Sequence, residues 1–302
     1  MQGTVDSFSY GLVTPVAAYI MACLGGALGL RCTTRSVRNR RSFKPGWLAL
    51  GAIAIGSGIW TMHFIAMMGF SVAEAPIAYH KPTTFASLAV AIVMVGIGIF
   101  IVGYRGATPM ALVTGGTITG LGVATMHYLG MAGIRLQGRV EYDTLTVALS
   151  VLIAVVAATA ALWAAVSVHG FLASLGASLV MGIAVSGMHY TGMAAVSVHL
   201  HGLTGSAGEA DSPATLLAPM LIGPAVFLLL AAVVVMFDPL LVMGEPDWQR
   251  SDGAKNLRPG VPAHRPQPSY GDPAGWAPAR PPRRAAVHRE APHRESPRSS
   301  DW

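Results

Sequence analysis

Three of the ten histidines in this chain recur in one setting. His63, His127 and His189 are each preceded by a methionine (Met62, Met126, Met188) and followed four residues later by another (Met67, Met131, Met193). The surrounding segments align without gaps at 56–69, 120–133 and 182–195, with steps of 64 and 62 residues between the histidines. On a helix, residues four apart share a face. Each segment therefore offers one imidazole and one thioether to the same neighbour. The methionine before each histidine points about 100° away, at 3.6 residues per turn; it either reaches a second layer of ligands or packs. Ala66, Gly130 and Gly192 lie beside the pair and permit close helix approach.

Imidazole with thioether is a soft to borderline donor set. Thioether favours copper, especially Cu(I), over magnesium, calcium or manganese. Zinc takes histidine, cysteine or carboxylate and seldom methionine. Haem also accepts histidine and methionine as axial ligands, but it needs a wide pocket and fewer histidines than three. The alternative to a ligand role is packing: methionine at helical spacing fills cores, and an isolated histidine is often a hydrogen-bonded core residue. Repetition at one depth favours the ligand reading.

The elements that must position these residues are membrane helices. The chain is 53% hydrophobic and only 11% charged, where soluble domains carry about 25% charge. Seven apolar stretches of roughly 20 residues or more lie at about 11–30, 47–70, 84–104, 109–134, 145–168, 171–196 and 216–237. Backbone groups in lipid must be satisfied within the segment, so these are helices. No Asp, Glu, Lys or Arg lies well inside them, and the only histidines there are the three above. Polar groups at that depth are costly and are normally functional. Each repeat is one helical hairpin, with the motif on the even-numbered helix about seven residues before its end. Three hairpins around a pseudo-threefold axis bring the imidazoles together. Two GxxxG pairs, Gly25/Gly29 and Gly116/Gly120, mark close helix contacts.

Lys and Arg give the orientation. One set of connections holds Arg31, Arg35, Arg38, Arg40, Arg41, Lys44 and Arg105, and the alternate set holds Lys81, Arg135 and Arg139. Positive loops stay in the cytoplasm, which puts the N-terminus and the motif ends outside and the C-terminus inside. The net charge of +6 is divided between the first connection and the tail, so it does not describe a nucleic-acid surface. Residues 1–243 read as one membrane domain. Residues 244–302 hold eleven of the 20 prolines and ten of the 20 basic residues, the composition of a disordered cytoplasmic tail. Cys23 and Cys32 imply no disulfide framework.

The repeats, reading Met62-His63-Phe64-Ile65, Met126-His127-Tyr128-Leu129 and Met188-His189-Tyr190-Thr191, resemble the MHYT domain, a bacterial integral-membrane sensor domain named for this motif. The resemblance covers roughly residues 10 to 240. It implies a multi-pass protein of the bacterial cytoplasmic membrane, copper bound near the outer face through these Met and His residues, and sensing of a diatomic gas such as oxygen, carbon monoxide or nitric oxide. Such domains often precede a cyclase, phosphodiesterase or kinase module. The segment after the seventh stretch is too short and too Pro-rich for one, so a non-enzymatic protein signalling through an unknown cytoplasmic partner is expected. Phe64 departs from the tyrosine of the motif and removes a hydroxyl there.

Two rivals follow from the same residues. A copper carrier or reservoir would use His80, His199 and His201 of the outer connections to pass metal inward, but no comparable set stands on the cytoplasmic side. A metal-dependent membrane hydrolase needs carboxylates near its metal, and no Asp or Glu lies in the outer half of any stretch.

Overall fold

The structure, a computed structural model, describes residues 3–38, 45–73, 75–167, 171–200 and 213–236. The tail assigned to 244–302 lies outside these residues, as do Arg40, Arg41, Lys44, His169 and His201. Seven helices among them are long and apolar enough to cross a membrane. They are α1 (Val13–Arg38), α2 (Pro45–Met68), α3 (Lys81–Arg105), α4 (Pro109–Ala132), α5 (Thr144–Ser167), α6 (Phe171–Ala194) and α7 (Pro213–Met236). Large apolar side chains such as Leu145, Leu152, Val180 and Leu229 point outward, as expected of helices whose solvent is lipid.

Local chemistry sets the helix starts. Thr108 caps α4, its hydroxyl accepting from the Ala111 N–H at 3.2 Å, with Pro109 at the first helical position. Asp143 caps α5 by accepting from the Thr146 N–H at 2.8 Å and the Thr146 hydroxyl at 2.6 Å. These two bonds, the hydroxyl's first, hold its carboxyl below the usual carboxylate range. Gly106 ends α3 at φ 75°, and its N–H donates to Val102 O. One boundary differs clearly from expectation. α1 runs on past residue 30 to Arg38, because the helix continues beyond the apolar stretch for about two basic turns. Arg35 there lies over the Trp47 ring, 4.1 Å from its centroid.

Each of the first five helices packs on its successor, and α6 closes on α1, so six helices form a ring; α7 lies outside it against α2 and α1. Small residues make the tight contacts. A Cβ on Gly25 would stand 2.7 Å from Gly58 Cα, and one on Gly120 would run into the Val155 backbone. Both expected GxxxG pairs therefore sit in real crossings, α1–α2 and α4–α5.

The connections on the motif side hold a feature the sequence did not reveal. Short strands pair there as three antiparallel ribbons: β1 (Val5–Asp6) with β2 (Ser71–Val72), β3 (Ala78–Tyr79) with β4 (Ile134–Arg135), and β5 (Gly138–Tyr142) with β6 (Val196–Leu200). In each, the strand before an odd-numbered helix pairs with the strand after the following even-numbered one. The repeat is thus strand–helix–helix–strand, three times around the ring.

Candidate metal centre

His63, His127 and His189 each lie five residues before the end of α2, α4 and α6. That is nearer the helix end than the seven residues expected, because the helices stop where the ribbons begin. At 1.5 Å per residue the imidazoles share a depth of roughly 7.5 Å below those ends. All three are buried, at 1%, 0% and 1% exposure. Their ring centroids are 4.9, 5.0 and 5.1 Å apart, with planes crossing at 79°, 78° and 88°. The rings stand like three blades about one axis.

The Nδ1 atoms face inward. They are separated by 3.0 Å (His63 to His189), 3.2 Å (His127 to His63) and 3.3 Å (His189 to His127). A neutral imidazole carries one N–H. Three converging Nδ1 atoms therefore cannot all pair with one another, and in any tautomer at least one pair sets lone pair against lone pair or N–H against N–H. A cation between them accepts all three lone pairs. The centre of such a triangle is roughly 1.8 Å from each corner, close to metal–nitrogen bonds of ~2.0–2.1 Å. The three histidines could hold a metal ion, and the donor geometry fits one.

Ligation through Nδ1 leaves the proton on Nε2. The Nε2 atoms of His63 and His127 are buried and have no hydrogen-bond partner among the described residues. Each faces the backbone of the next motif helix: a Cβ on Gly130 would stand 2.6 Å from His63 Nε2, and one on Gly192 would stand 2.5 Å from His127 Nε2. The small residues expected to allow close approach thus seat the neighbouring imidazole. The first repeat has Ala66 at this place.

The six candidate methionines are all buried in the same core: Met62, Met126 and Met188 at 0%, 0% and 1% exposure, and Met67, Met131 and Met193 at 1%, 2% and 5%. Of the histidines in the connections, His80 stands at the N-cap position of α3 and its Nδ1 is hydrogen-bonded to the Thr83 hydroxyl at 2.7 Å. His199 lies in β6, 3.5 Å from Glu141. Neither joins the cluster. Cys23 and Cys32 are free.

Each histidine is flanked edge-on by the aromatic ring that follows it, Phe64, Tyr128 or Tyr190. The supports of these rings were not foreseen. The Tyr128 and Ser150 hydroxyls are hydrogen-bonded at 2.6 Å. In the first repeat, where Phe64 lacks the hydroxyl, Trp60 supplies a donor instead: its Nε1–H reaches Ser87 Oγ at 3.0 Å and Thr84 O at 3.1 Å. Ser87 and Ser150 are 63 residues apart, one repeat step, and that spacing was the available signal. Tyr79 of β3 covers this corner, its ring edge-on to Phe64 and its hydroxyl donating to Met67 O at 3.5 Å. Burial pushes the Tyr79 phenol well above its usual value, so it remains a neutral donor.

A family described as a bacterial signalling protein N-terminal repeat, MHYT, matches residues 56–115 and 120–178. The chain is an MHYT-domain protein. The matched segments begin at the first two motifs, and the third motif repeats the pattern beyond them. The MHYT region also aligns with relatives in the curated record. It is 35% identical over 238 residues to the bifunctional diguanylate cyclase/cyclic di-GMP phosphodiesterase MucR of Pseudomonas aeruginosa, covering 77% of this chain and 35% of that protein. It is 38% identical over 191 residues to the cyclic di-GMP phosphodiesterase NbdA of the same organism, covering 59% and 23%. It is 30% identical over 199 residues to the signaling protein YkoW of Bacillus subtilis, covering 63% and 24%. No solved structure matches the chain.

These findings make the chain a multi-pass protein of the bacterial inner membrane with a membrane signalling role. They also correct one expectation. A non-enzymatic protein was expected from the short segment after α7. Relatives sharing this MHYT region are named as cyclic di-GMP enzymes, and the chain spans only about a third or less of their length. The length of that segment therefore gives no ground for the expectation. The matches reach only the MHYT region, which assigns no catalytic activity to this chain.

Proposed function

We propose that this MHYT domain is a copper-dependent membrane sensor of a diatomic gas: oxygen, carbon monoxide or nitric oxide. His63, His127 and His189 hold the metal through Nδ1, and the thioethers of Met67, Met131 and Met193 stand on the same helix faces as a softer second set. Met62, Met126 and Met188 back them within the core. The observation that carries the reading is the triangle of Nδ1 atoms 3.0–3.3 Å apart, buried and, among the described residues, without a carboxylate in the cluster. The thioethers favour copper over zinc. Bound copper would supply a coordination position open to a small gas molecule.

The chain's own residues do the rest. Gly130 and Gly192 seat two of the rings, so a shift of one imidazole is felt by the neighbouring motif helix. Each motif helix crosses the whole bundle, and a change in the triangle therefore biases packing at the opposite end. That end is read here as cytoplasmic, since Arg31, Arg35 and Arg105 gather there. α7 packs on α2 and leads on to the remainder of the chain. Cyclic di-GMP turnover, named for the relatives, is the output this arrangement serves.

The test is metal analysis of the purified full chain beside a His63→Ala/His127→Ala/His189→Ala variant, with copper and zinc offered together. About one copper per chain in the parent and none in the variant is expected. Equal metal content in both, or a parent that takes zinc alone, overturns the reading.

A further inference from the structure

Below the histidines the even-numbered helices keep a second pattern. Ile59, Val123 and Val185 stand four residues before His63, His127 and His189, and Ile55, Thr119 and Met181 stand eight before them. These steps keep them on the face that carries the imidazoles, one and two turns deeper. All six line a single cavity of about 40 Å³. Met188, bonded to His189 in sequence, lines it too, and Ala154 and Ala158 of α5 close one side. The cavity therefore lies between the three motif helices, below the histidine triangle, with Met188 rather than an imidazole as its lining residue nearest that level in sequence.

Its walls are almost wholly aliphatic. Thr33 and Thr119 are the polar lining residues, and their hydroxyls lie against the glycine backbones of Gly51 and Gly98 on neighbouring helices. A water needs roughly 10–15 Å³ and two to four polar partners. This lumen has the space, and its two hydroxyls, both without a hydrogen-bond partner among the described residues, are the minimum a water needs. The rest of the wall is apolar, which suits an apolar guest. The room suits two or three heavy atoms and is too small for an aromatic ring, for which ~150 Å³ is the known example.

We propose that the cavity is a binding site for a small apolar molecule, held below the histidine cluster. Such molecules partition from water into hydrocarbon, so the site draws its guest from the membrane interior and offers it to the inner face of the cluster without passing the ribbons. The cavity stands on its lining alone. Its use as an antechamber for a sensed gas rests on the proposed function of the cluster.

Krypton is the probe. Crystals of the intact protein are pressurised with it, and the gas is located by anomalous scattering. The expected result is one peak in the cavity, between Val123 and Ala158. It should be lost in Ala158→Leu, whose added carbons enter the lumen, and kept or strengthened in Val123→Ala, which enlarges it and does not depend on the bulkier variant folding. No such peak in the parent, an undiminished peak in Ala158→Leu, or ordered waters bonded to Thr33 and Thr119 overturns the proposal. Metal analysis of the same crystals separates the two ideas. Krypton without metal leaves the cavity standing and removes the sensing reading; metal without krypton does the reverse.

Discussion

The motif-bearing half of the ring and the half beneath it are built from the same three helices by opposite means. In the upper half, buried polar groups converge: three imidazoles, their aromatic flanks, and the hydroxyl and indole bonds of Tyr128 and Trp60. In the lower half, glycine and alanine bring backbones together around an aliphatic lumen. Glycine serves both halves differently. Gly120 admits the backbone of α5, whereas Gly130 and Gly192 admit an imidazole. The contrast teaches that stability and chemistry are separable here. Lower positions should answer for folding and upper positions for metal.

The hardest test of that division removes a ligand. His127→Ala should lower metal affinity by more than the ~10–100-fold typical of losing an outer partner, while Val123→Ala, one turn below, should leave metal bound. Isothermal titration with copper reads both. Loss of metal in Val123→Ala would erase the distinction between layers. Next in size is a pair of valine substitutions. Gly120→Val drives a branched side chain into the Val155 backbone and should cost about 1–3 kcal/mol or more in stability, as overpacking does. Gly192→Val puts its Cβ against the His127 ring rather than against backbone, so its melting temperature in detergent should fall less while its metal affinity falls about 10-fold. Smaller again is the triple variant Met67→Leu/Met131→Leu/Met193→Leu, which keeps volume and apolarity. Copper affinity should drop and zinc affinity should hold; unchanged copper binding would leave these methionines as packing residues. In the parent, binding should weaken as pH falls far enough to protonate the cluster, because a protonated imidazole has no free lone pair to give.

What the sequence disclosed follows from what periodicity can carry. Spacing fixed the seven helices, the common depth of His63, His127 and His189, and the small residues beside them, since each depends on one helix at a time. Which imidazole nitrogen turns inward depends on ring rotation, and spacing does not reach it. The ribbons escaped notice because two of the three are strands of two residues, too short for any alternation to register. The extension of α1 to Arg38 was hidden by a change of solvent: hydropathy reports where lipid ends, not where the helix does. Trp60 and Ser87 lie on different helices, so their bond becomes visible only once α2 is known to pack on α3.

That bond gives the finest test, because two repeats support equivalent rings in different ways. Removing the Tyr128 hydroxyl in Tyr128→Phe leaves Ser150 still donating to Val147 O at 2.8 Å. The loss is one hydrogen bond, about 1 kcal/mol. Trp60→Phe removes donation to both Ser87 Oγ and Thr84 O, and it opens space around a side chain that is 0% exposed. Ser87 keeps its own donation to Thr84 O at 2.6 Å, so Thr84 O is not orphaned, and the added cost comes mainly from lost volume. Together these make the expected loss about 2 kcal/mol. Melting temperatures of the two variants in one detergent compare them directly, and copper binding should persist in both. A Tyr128→Phe variant less stable than Trp60→Phe would mean that the second repeat, not the first, anchors the upper half. The indole would then be a filler for Phe64 and not its substitute.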